Sequence, residues 1–375
     1  MKSITCIICS IILTFSVAFA ATLSAELASP NAILMERDTG EILYQKDEHK
    51  KLPPASVTKI MTLLLVFEAI DSGKISFEDI VTVSDYAASM GGSQVFLEPG
   101  EQMTLNDMLK ATIISSGNDS AVALAEHIAG SEEEFVARMN KRAEELGMKD
   151  TTFKNCTGLD SEGHITSAHD IALMSRELLK HDKIKDYTTI WIDSLRNGAF
   201  QLANTNKLIR TYRGITGLKT GSTSVAKYCL SATAERDGME LIAVIMSAPT
   251  SKDRFSDAKK LLDFGFSNYS LYNGIHDIEL PSLPVTLGKV DSVTLDFGKS
   301  PSVLVGKDDI PGITQTIDIP DKLDAPVEKG QNIGSIKITS GEKKLSEIPI
   351  IVAESVERLD WIGVFKSLLS IILFR

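Results

Sequence analysis

The pair Ser56 and Lys59 could supply a nucleophile and the base that activates it. Pro53 and Pro54 end the preceding chain, and an apolar segment of helical length follows at once, so Ser56 is predicted to begin a helix. Residues three apart share a helical face, so the Lys59 amine can accept the hydroxyl proton of Ser56. The amine must be neutral for this, and burial or a second cation would lower its pKa. The pattern therefore predicts a serine nucleophile with another positive group nearby.

The Ser-x-x-Lys spacing is not specific by itself, because it recurs at Ser224, Ser256 and Ser340. Two further motifs follow in the chain, Ser116-Gly117-Asn118 between two helical stretches and Lys219-Thr220-Gly221 just ahead of a hairpin strand. The order S-x-x-K, S-D-N, K-T-G is typical of class A β-lactamases and penicillin-binding proteins, and here Gly replaces the Asp. The three motifs together indicate that Ser56 is the nucleophile.

On these motifs the chain resembles the serine-type D-Ala-D-Ala carboxypeptidases among the low-molecular-mass penicillin-binding proteins, whose second motif is S-G-N. The resemblance covers nearly everything after residue 20, including Leu52-Pro53-Pro54-Ala55-Ser56 and Gly158-Leu159-Asp160. It implies an α+β fold, in which a transpeptidase/β-lactamase-like domain of helices on an antiparallel sheet precedes a small all-β domain and a terminal amphipathic helix.

The resemblance also implies a reaction. Ser56 would attack the carbonyl between the two terminal D-alanines of a peptidoglycan stem peptide, D-alanine would leave, and water would hydrolyse the acyl-enzyme. β-Lactams resemble this dipeptide and would acylate the same serine. No metal or other cofactor is required.

Each remaining site residue receives a role from the resemblance. Lys59 would be the base, Lys219 the second cation, and Ser116 and Asn118 would relay protons and hold the substrate amide. The substrate-binding set would be Thr220, Gly221, Ser222, Thr223 and Arg254.

Within this set, the backbone N–H groups of Ser56 and Ser222 would form the oxyanion hole. The hydroxyls of Thr220 and Thr223 would bind the terminal carboxylate. Arg254 resembles a family arginine that assists there, and a surface salt bridge is the alternative for this residue.

The periodicity of apolar residues predicts strands, then helices, then strands and a helix, which is an α+β order. Hairpins are predicted around residues 36–41 and 236–238, and helices over 56–70, 105–114, 120–128, 132–146 and 260–266. Beyond about Tyr269, prolines separate short alternating runs, which indicates a small all-β domain. We predict a catalytic domain over 21–270 and a β-rich domain over 271–355.

The two ends of the chain indicate export. Residues 1–20 have the layout of a cleavable signal peptide, with Lys2, an apolar run and Ala18-Phe19-Ala20. Residues 356–375 are too short in apolar length to span a bilayer, but their spacing predicts an amphipathic helix that associates with the outer face of the cytoplasmic membrane. Docking of this helix on its own domain is the alternative. The net charge of −11 excludes nucleic acid as a main partner.

Other interpretations remain open. A class A β-lactamase shares the motifs but needs an E-x-x-L-N segment, which is not found between Asn118 and Lys219. An endopeptidase or a catalytically silent cell-wall binding protein would share the fold. His164 and His169 lack metal-ligand spacing and indicate a loop with a helix cap at Ser167. Cys156 and Cys229 could pair or remain buried and free.

Overall fold

Most strands of the chain lie before or after a long, mainly helical region that also contains four short strands. This computed structural model describes Leu23 and residues 26–274, 278–298, 302–365 and 372. Their strands are β1 (Asn31–Glu36), β2 (Ile42–Lys46), β3 (Ile80–Thr82), β4 (Gln102–Thr104), β5 (Ile192–Leu195), β6 (Phe200–Ala203), β7 (Ile215–Thr223), β8 (Lys227–Arg236), β9 (Met239–Ala248), β10 (Tyr269–Tyr272), β11 (Leu283–Thr286), β12 (Ser292–Val293), β13 (Leu295–Phe297), β14 (Val303–Gly306), β15 (Ile313–Asp318), β16 (Leu323–Asp324), β17 (Asn332–Ser340) and β18 (Lys343–Val352).

The helices lie mostly between β2 and β7. They are α1 (Lys59–Asp71), α2 (Asp85–Ala88), α3 (Leu105–Ile114), α4 (Asn118–Ala129), α5 (Glu132–Glu145), α6 (Ala168–Leu178), α7 (Ile184–Thr188) and α8 (Ser251–Asn268). Four short 3₁₀ turns accompany them, at Ala55–Thr58, Arg196–Gly198, Lys207–Arg210 and Lys307–Gly312. The predicted helices are confirmed, although α8 is longer than expected because the Thr250 side chain caps it well upstream.

A five-stranded antiparallel sheet, in the order β2-β1-β9-β8-β7, forms the centre of the first domain. Side chains of β9 alternate between two cores, because successive residues of a strand point to opposite faces. Ile242 and Val244 pack in the core shared with α1, α3, α4 and α6, whereas Leu241 and Ala243 pack in the core shared with α8. The sheet is therefore covered by helices on both faces, and β7 is an edge strand.

Helix α1 lies inside the larger core rather than on its surface. Its segment KIMTLLLVFEAID is apolar almost all round, as expected of a buried helix, and most of it is buried. Lys59 is the one lysine of this helix and is 0% exposed. The buried position of this charge-bearing residue points to a chemical role.

The second domain consists of strands around two apolar clusters. Its largest sheet, β13-β18-β17-β15, is antiparallel. Strand β10 directly follows α8 and pairs with β14. In β14, Leu304 packs in the core around α8, while Val303 and Val305 pack in the second domain. The predicted α+β fold with a small β domain is confirmed, and the boundary between residues 270 and 271 stays a prediction.

The two ends of the chain lie largely outside the residues that the structure describes. The predicted signal peptide, residues 1–20, lies outside the described residues. Trp361 and Phe365 belong to a short described helical turn and are exposed, but most of the predicted C-terminal helix also lies outside the described residues. Among the residues described, no helix is both long and apolar enough to cross a membrane. The amphipathic helix therefore stays a prediction.

Two smaller expectations are settled. Ser167 caps α6, since its hydroxyl accepts from the backbone N–H of Asp170 at 3.2 Å. Cys156 and Cys229 are both buried and free, so they do not form a disulfide. Among the described residues, no cluster of His, Cys, Asp and Glu is arranged to hold a metal ion.

Candidate active site

Ser56 lies in the 3₁₀ turn Ala55–Thr58, which continues directly into α1. Lys59, the first residue of α1, extends its amine back along the same face, and its Nζ lies 3.1 Å from Ser56 Oγ. The Lys59 amine therefore reaches the Ser56 hydroxyl across one helical turn, as predicted.

The Lys59 amine has two further partners, which can only accept hydrogen bonds. Nζ donates to Asn118 Oδ1 at 2.6 Å and to the Thr157 carbonyl at 2.7 Å. A neutral amine has two hydrogens and one lone pair, so these two acceptors take both hydrogens. The lone pair is then left for the third contact, Ser56 Oγ, as required of a base that removes the hydroxyl proton.

Burial makes this neutral form accessible. It lowers the pKa of Lys59 to about 7, against a weaker opposing effect of Cys156 and Asp119. Burial also lowers the pKa of Lys219 well below its usual value, with Lys59 and Arg254 as the next causes. Burial is thus what lowers the pKa of Lys59, and the second cation expected from the sequence is not among the causes of that shift.

The loop between α3 and α4 carries Ser116, and Asn118 is the first residue of α4. Ser116 has a φ of 62°, a left-handed conformation that is costly for a residue other than glycine. The Asn118 side chain joins three elements, because its Oδ1 accepts from Lys59 while its Nδ2 donates to the Gly91 carbonyl at 2.7 Å. The buried Asp119 carboxylate accepts from the backbone N–H groups of Val95 and Leu97, which ties the preceding loop to α4.

Lys219 lies within β7 rather than ahead of the strand, and its side chain is 1% exposed. Its Nζ donates to Ser116 Oγ at 2.8 Å and to the Thr220 carbonyl at 3.1 Å. Lys219 therefore contacts the second motif through Ser116, and the first motif contacts it through the bond from Lys59 to Asn118.

Two glycines allow other backbone segments to contact the turn that carries Ser56. A Cβ at Gly221 of β7 would lie 2.8 Å from Ser56 N and 2.9 Å from the Pro54 carbonyl. A Cβ at Gly158, whose φ is +86°, would collide with the Ala55 carbonyl. Ala55 itself has a φ of 50°. The peptide that leads into Ser56 is thus fixed between β7 and the loop around Gly158.

The two threonines of the substrate-binding set already have partners. The Thr220 hydroxyl donates to Thr205 Oγ1 at 2.7 Å, and that of Thr223 donates to Asp160 Oδ1 at 2.8 Å. Either hydroxyl must change its donor direction to bind a carboxylate. Ser222 lies between them and is exposed.

Arg254 lies in the first turn of α8 and is 7% exposed, which excludes the alternative of a surface salt bridge. Its Nη1 donates to the carbonyls of Gly221 and Cys229, at 3.0 and 3.2 Å. Within the described part of the chain, its Nε has no hydrogen-bond partner and no carboxylate lies within 4 Å of the guanidinium. A buried cation without a counterion is suited to an anionic ligand.

The Thr157 carbonyl and the Gly91 carbonyl were not identified from the sequence. Backbone acceptors have no sequence signal of their own. The resemblance included Gly158-Leu159-Asp160, which is adjacent to Thr157, and this was the available indication.

Comparison with known proteins gives consistent matches over both domains. The family model of D-alanyl-D-alanine carboxypeptidases, peptidase S11, matches residues 18–250. The model of the penicillin-binding protein 5 C-terminal domain matches residues 276–358. D-alanyl-D-alanine carboxypeptidase DacF of Bacillus subtilis is 46% identical over 352 residues, which is 92% of this chain and 90% of that protein.

Solved structures agree with these matches. Penicillin-binding protein 5 from Haemophilus influenzae superimposes with a TM-score of 0.82 at 30% identity, covering 90% of this chain and 100% of that one. Penicillin-binding protein D2 from Listeria monocytogenes, in its ampicillin-bound form, has a TM-score of 0.57 at 32% identity and covers 64% of this chain and 98% of its own.

Proposed function

The chain belongs to the D-alanyl-D-alanine carboxypeptidase family, peptidase S11, and from this premise we propose that it removes the terminal D-alanine from peptidoglycan stem peptides through an acyl-enzyme on Ser56. The observation that carries this proposal is the set of three contacts made by the Lys59 amine. Two obligate acceptors take the hydrogens of the neutral amine, which leaves its lone pair for Ser56 Oγ at 3.1 Å.

Acylation begins when Ser56 Oγ attacks the carbonyl between the two D-alanines and its proton passes to Lys59. The negative oxygen of the tetrahedral intermediate accepts hydrogen bonds from the backbone N–H groups of Ser56 and Ser222. The C–N bond then breaks, and the leaving amine receives a proton that originates on Lys59 and passes through Ser116, whose hydroxyl is bonded to Lys219. D-alanine departs and an ester remains on Ser56.

Deacylation repeats these steps with water in place of the serine. Lys59 accepts a proton from the water as its oxygen attacks the ester carbonyl, and the ester C–O bond breaks. The proton returns to Ser56 Oγ, which restores the free enzyme. A β-lactam would form the same ester and act as an inhibitor if its hydrolysis is slow.

The substrate carboxylate has a cationic region to bind. Arg254 is buried without a carboxylate partner among the described residues, and it is bonded to the backbone of β7 at Gly221. Thr220 and Thr223 would exchange their present partners for the carboxylate. The edge position of β7 leaves its outer side available for an extended peptide.

The place of action follows from this substrate. Stem peptides lie outside the cytoplasmic membrane, which agrees with the predicted signal peptide over 1–20. Attachment to the outer face of that membrane through residues 356–375 remains a further proposal, which rests on the apolar spacing of those residues alone.

The test uses the full chain from residue 21 with labelled penicillin and, separately, with diacetyl-lysyl-D-Ala-D-Ala. We expect stoichiometric labelling and release of D-alanine, and loss of both in Ser56→Ala. Ser256→Ala is the matched control, because Ser256 has the same spacing to a lysine but is exposed in α8.

Three outcomes contradict the proposal. Rapid turnover of penicillin would identify a β-lactamase, and absence of both reactions would leave a binding protein. Equal activity in Ser56→Ala and Ser256→Ala would place the nucleophile elsewhere.

A further inference from the structure

The loop of residues 152–165 contacts the turn that carries Ser56 at several points. Its two ends pair through Thr152 and Ile165, so the loop is closed at its base. The Thr157 carbonyl accepts from Lys59, and Gly158 packs on the Ala55 carbonyl. The remaining contact is made by His164, a residue to which the proposed mechanism gives no role.

The hydrogen bonds of His164 define which ring nitrogen carries the proton. Nδ1 accepts from the backbone N–H of Lys154 at 3.0 Å and is therefore unprotonated. Nε2 must then carry the hydrogen, and it lies 2.8 Å from Thr58 Oγ1. Burial lowers the pKa of His164 to about 4, so the ring stays neutral near neutral pH.

Thr58 connects His164 to the backbone by a second hydrogen bond. Its Oγ1 accepts from His164, so the hydroxyl hydrogen is free to be donated to the Ala55 carbonyl, 2.9 Å away. The three hydrogen bonds thus run in one direction: the Lys154 N–H donates to His164, His164 donates to Thr58, and Thr58 donates to the Ala55 carbonyl. Both side chains are buried, which protects the chain of bonds from competition with water.

The Ala55 carbonyl and the Ser56 N–H are the two ends of one planar peptide unit. Fixing the direction of the carbonyl therefore fixes the direction of the N–H. That N–H is one of the two proposed oxyanion donors, and Ala55 holds an unfavourable φ of 50° that requires support from its surroundings. A small rotation of this peptide would turn the donor away from the developing charge.

We propose that His164 is a positioning residue that acts through Thr58 to hold the Ala55–Ser56 peptide with its N–H directed at the substrate oxyanion. This inference rests on the proposed acyl-enzyme function of Ser56. It assigns to His164 an effect on the transition state rather than on substrate binding.

Two substitutions of His164 separate this role from a structural one. In His164→Asn the amide oxygen can replace Nδ1 as acceptor for Lys154, but no donor reaches Thr58. In His164→Gln the amide nitrogen can replace Nε2 as donor to Thr58. At the next link, Thr58→Val removes the hydroxyl and Thr58→Ser retains it.

The measurements are the acylation rate constant and the dissociation constant of the preceding noncovalent penicillin complex, together with the infrared carbonyl stretch of the acyl-enzyme. Loss of a whole oxyanion donor costs about 10² to 10³ in rate, so a misdirected donor should cost about tenfold or more. We expect this loss in His164→Asn and Thr58→Val, with unchanged dissociation constants and a carbonyl stretch at higher frequency. His164→Gln and Thr58→Ser should stay within about threefold of the unmodified chain.

The proposal is wrong if His164→Asn acylates at the unmodified rate with an unshifted carbonyl stretch. It is equally wrong if His164→Asn and His164→Gln lose the same activity in parallel with thermal stability. Failure of the unmodified chain to be acylated at all would instead contradict the proposed function of Ser56, so the two failures can be told apart.

Discussion

At the scale of single residues, the state of Lys59 depends on its three hydrogen-bond partners and on its burial. A protonated amine would donate to Ser56 Oγ, Asn118 Oδ1 and the Thr157 carbonyl together, which leaves no lone pair. The neutral amine keeps two of these bonds and gains the capacity to accept the serine proton. The same three contacts therefore serve both protonation states, and in the proposed mechanism only the neutral one is active.

The titration of Lys59 between its protonated and neutral forms predicts that acylation depends on pH. Because the pKa of Lys59 is lowered to about 7, the rate constant should rise with pH and level off above this value. Two pH units below the pKa, the acylation rate constant should be about 100-fold lower, because only about one hundredth of the Lys59 amines are then neutral. Stopped-flow acylation by a chromogenic β-lactam measures this, with circular dichroism at each pH as the control for folding. A rate that is constant below neutral pH would contradict the role of Lys59 as base.

Side chains of the site were largely predictable from the sequence, and backbone atoms were not. The spacing of Ser56 and Lys59 on one helical turn predicted their contact, which the distance of 3.1 Å confirms. The Thr157 carbonyl, which orients the amine, could not be predicted because every residue has a carbonyl. The role proposed for His164 likewise depends on a contact with Thr58, a residue distant in the chain.

At the scale of elements, the site depends on close approach of β7 and the 152–165 loop to the turn before α1. Gly158 is the position where this approach is most restrictive, because a Cβ would collide with the Ala55 carbonyl. Gly147 has a similar positive φ of 73°, but a Cβ there meets nothing within 4 Å. The two glycines therefore share a positive φ but differ in how crowded the space around a Cβ would be.

We predict that Gly158→Ala destabilises the chain more than Gly147→Ala. Gly147→Ala should cost only the conformational strain, about 1–2 kcal/mol. In Gly158→Ala, overpacking adds to the conformational strain, so the free energy of unfolding should fall by about 2–5 kcal/mol in total. Acylation should also slow, because Ala55 must move. Denaturant unfolding and penicillin labelling measure the two effects. Equal losses in both variants would show that the contact with Ala55 is unimportant.

The elements themselves followed well from the sequence where periodicity was strong. The hairpins β1–β2 and β8–β9 and helices α3, α4 and α5 lie close to their predicted bounds. The hairpin β5–β6 was missed, because its strands are four residues each and lack a long apolar alternation. Pairing of β1 with β9 was not predictable, since partners so distant in sequence are chosen by tertiary packing.

At the scale of the whole molecule, the second domain contributes to stability and not to the residues of the site. Leu304 of β14 packs in the core around α8, β10 pairs with β14, and Lys307 donates to the Phe266 carbonyl at 2.6 Å. The site residues all come from residues 56–254. A β-rich second domain was predicted from its prolines, but its contact with α8 through alternate residues of β14 was not.

A chain that ends at Tyr272 should therefore keep its acylation rate constant at low temperature while losing thermal stability. Exposure of the surface under Leu304 should lower the free energy of unfolding by about 2 kcal/mol. For a domain of this size, that corresponds to a melting temperature lower by roughly 4–8 °C. Thermal melts and penicillin labelling of the two chains provide the comparison. Loss of acylation in a shortened chain that remains folded would contradict the independence of the site.

The sheet order also has a consequence for the time at which activity appears. Strand β1 lies between β2 and β9, so the first and last strands of the catalytic domain are neighbours, and Lys219 belongs to the late part. A polypeptide is synthesised from its N-terminus, so Ser56 emerges long before β7 and β9. During that interval β1, which is buried on every residue in the finished sheet, has an unpaired edge. Until its last strands arrive, the nascent chain thus lacks Lys219 and exposes a strand edge on which it can associate, and this long-range pairing predicts slow folding.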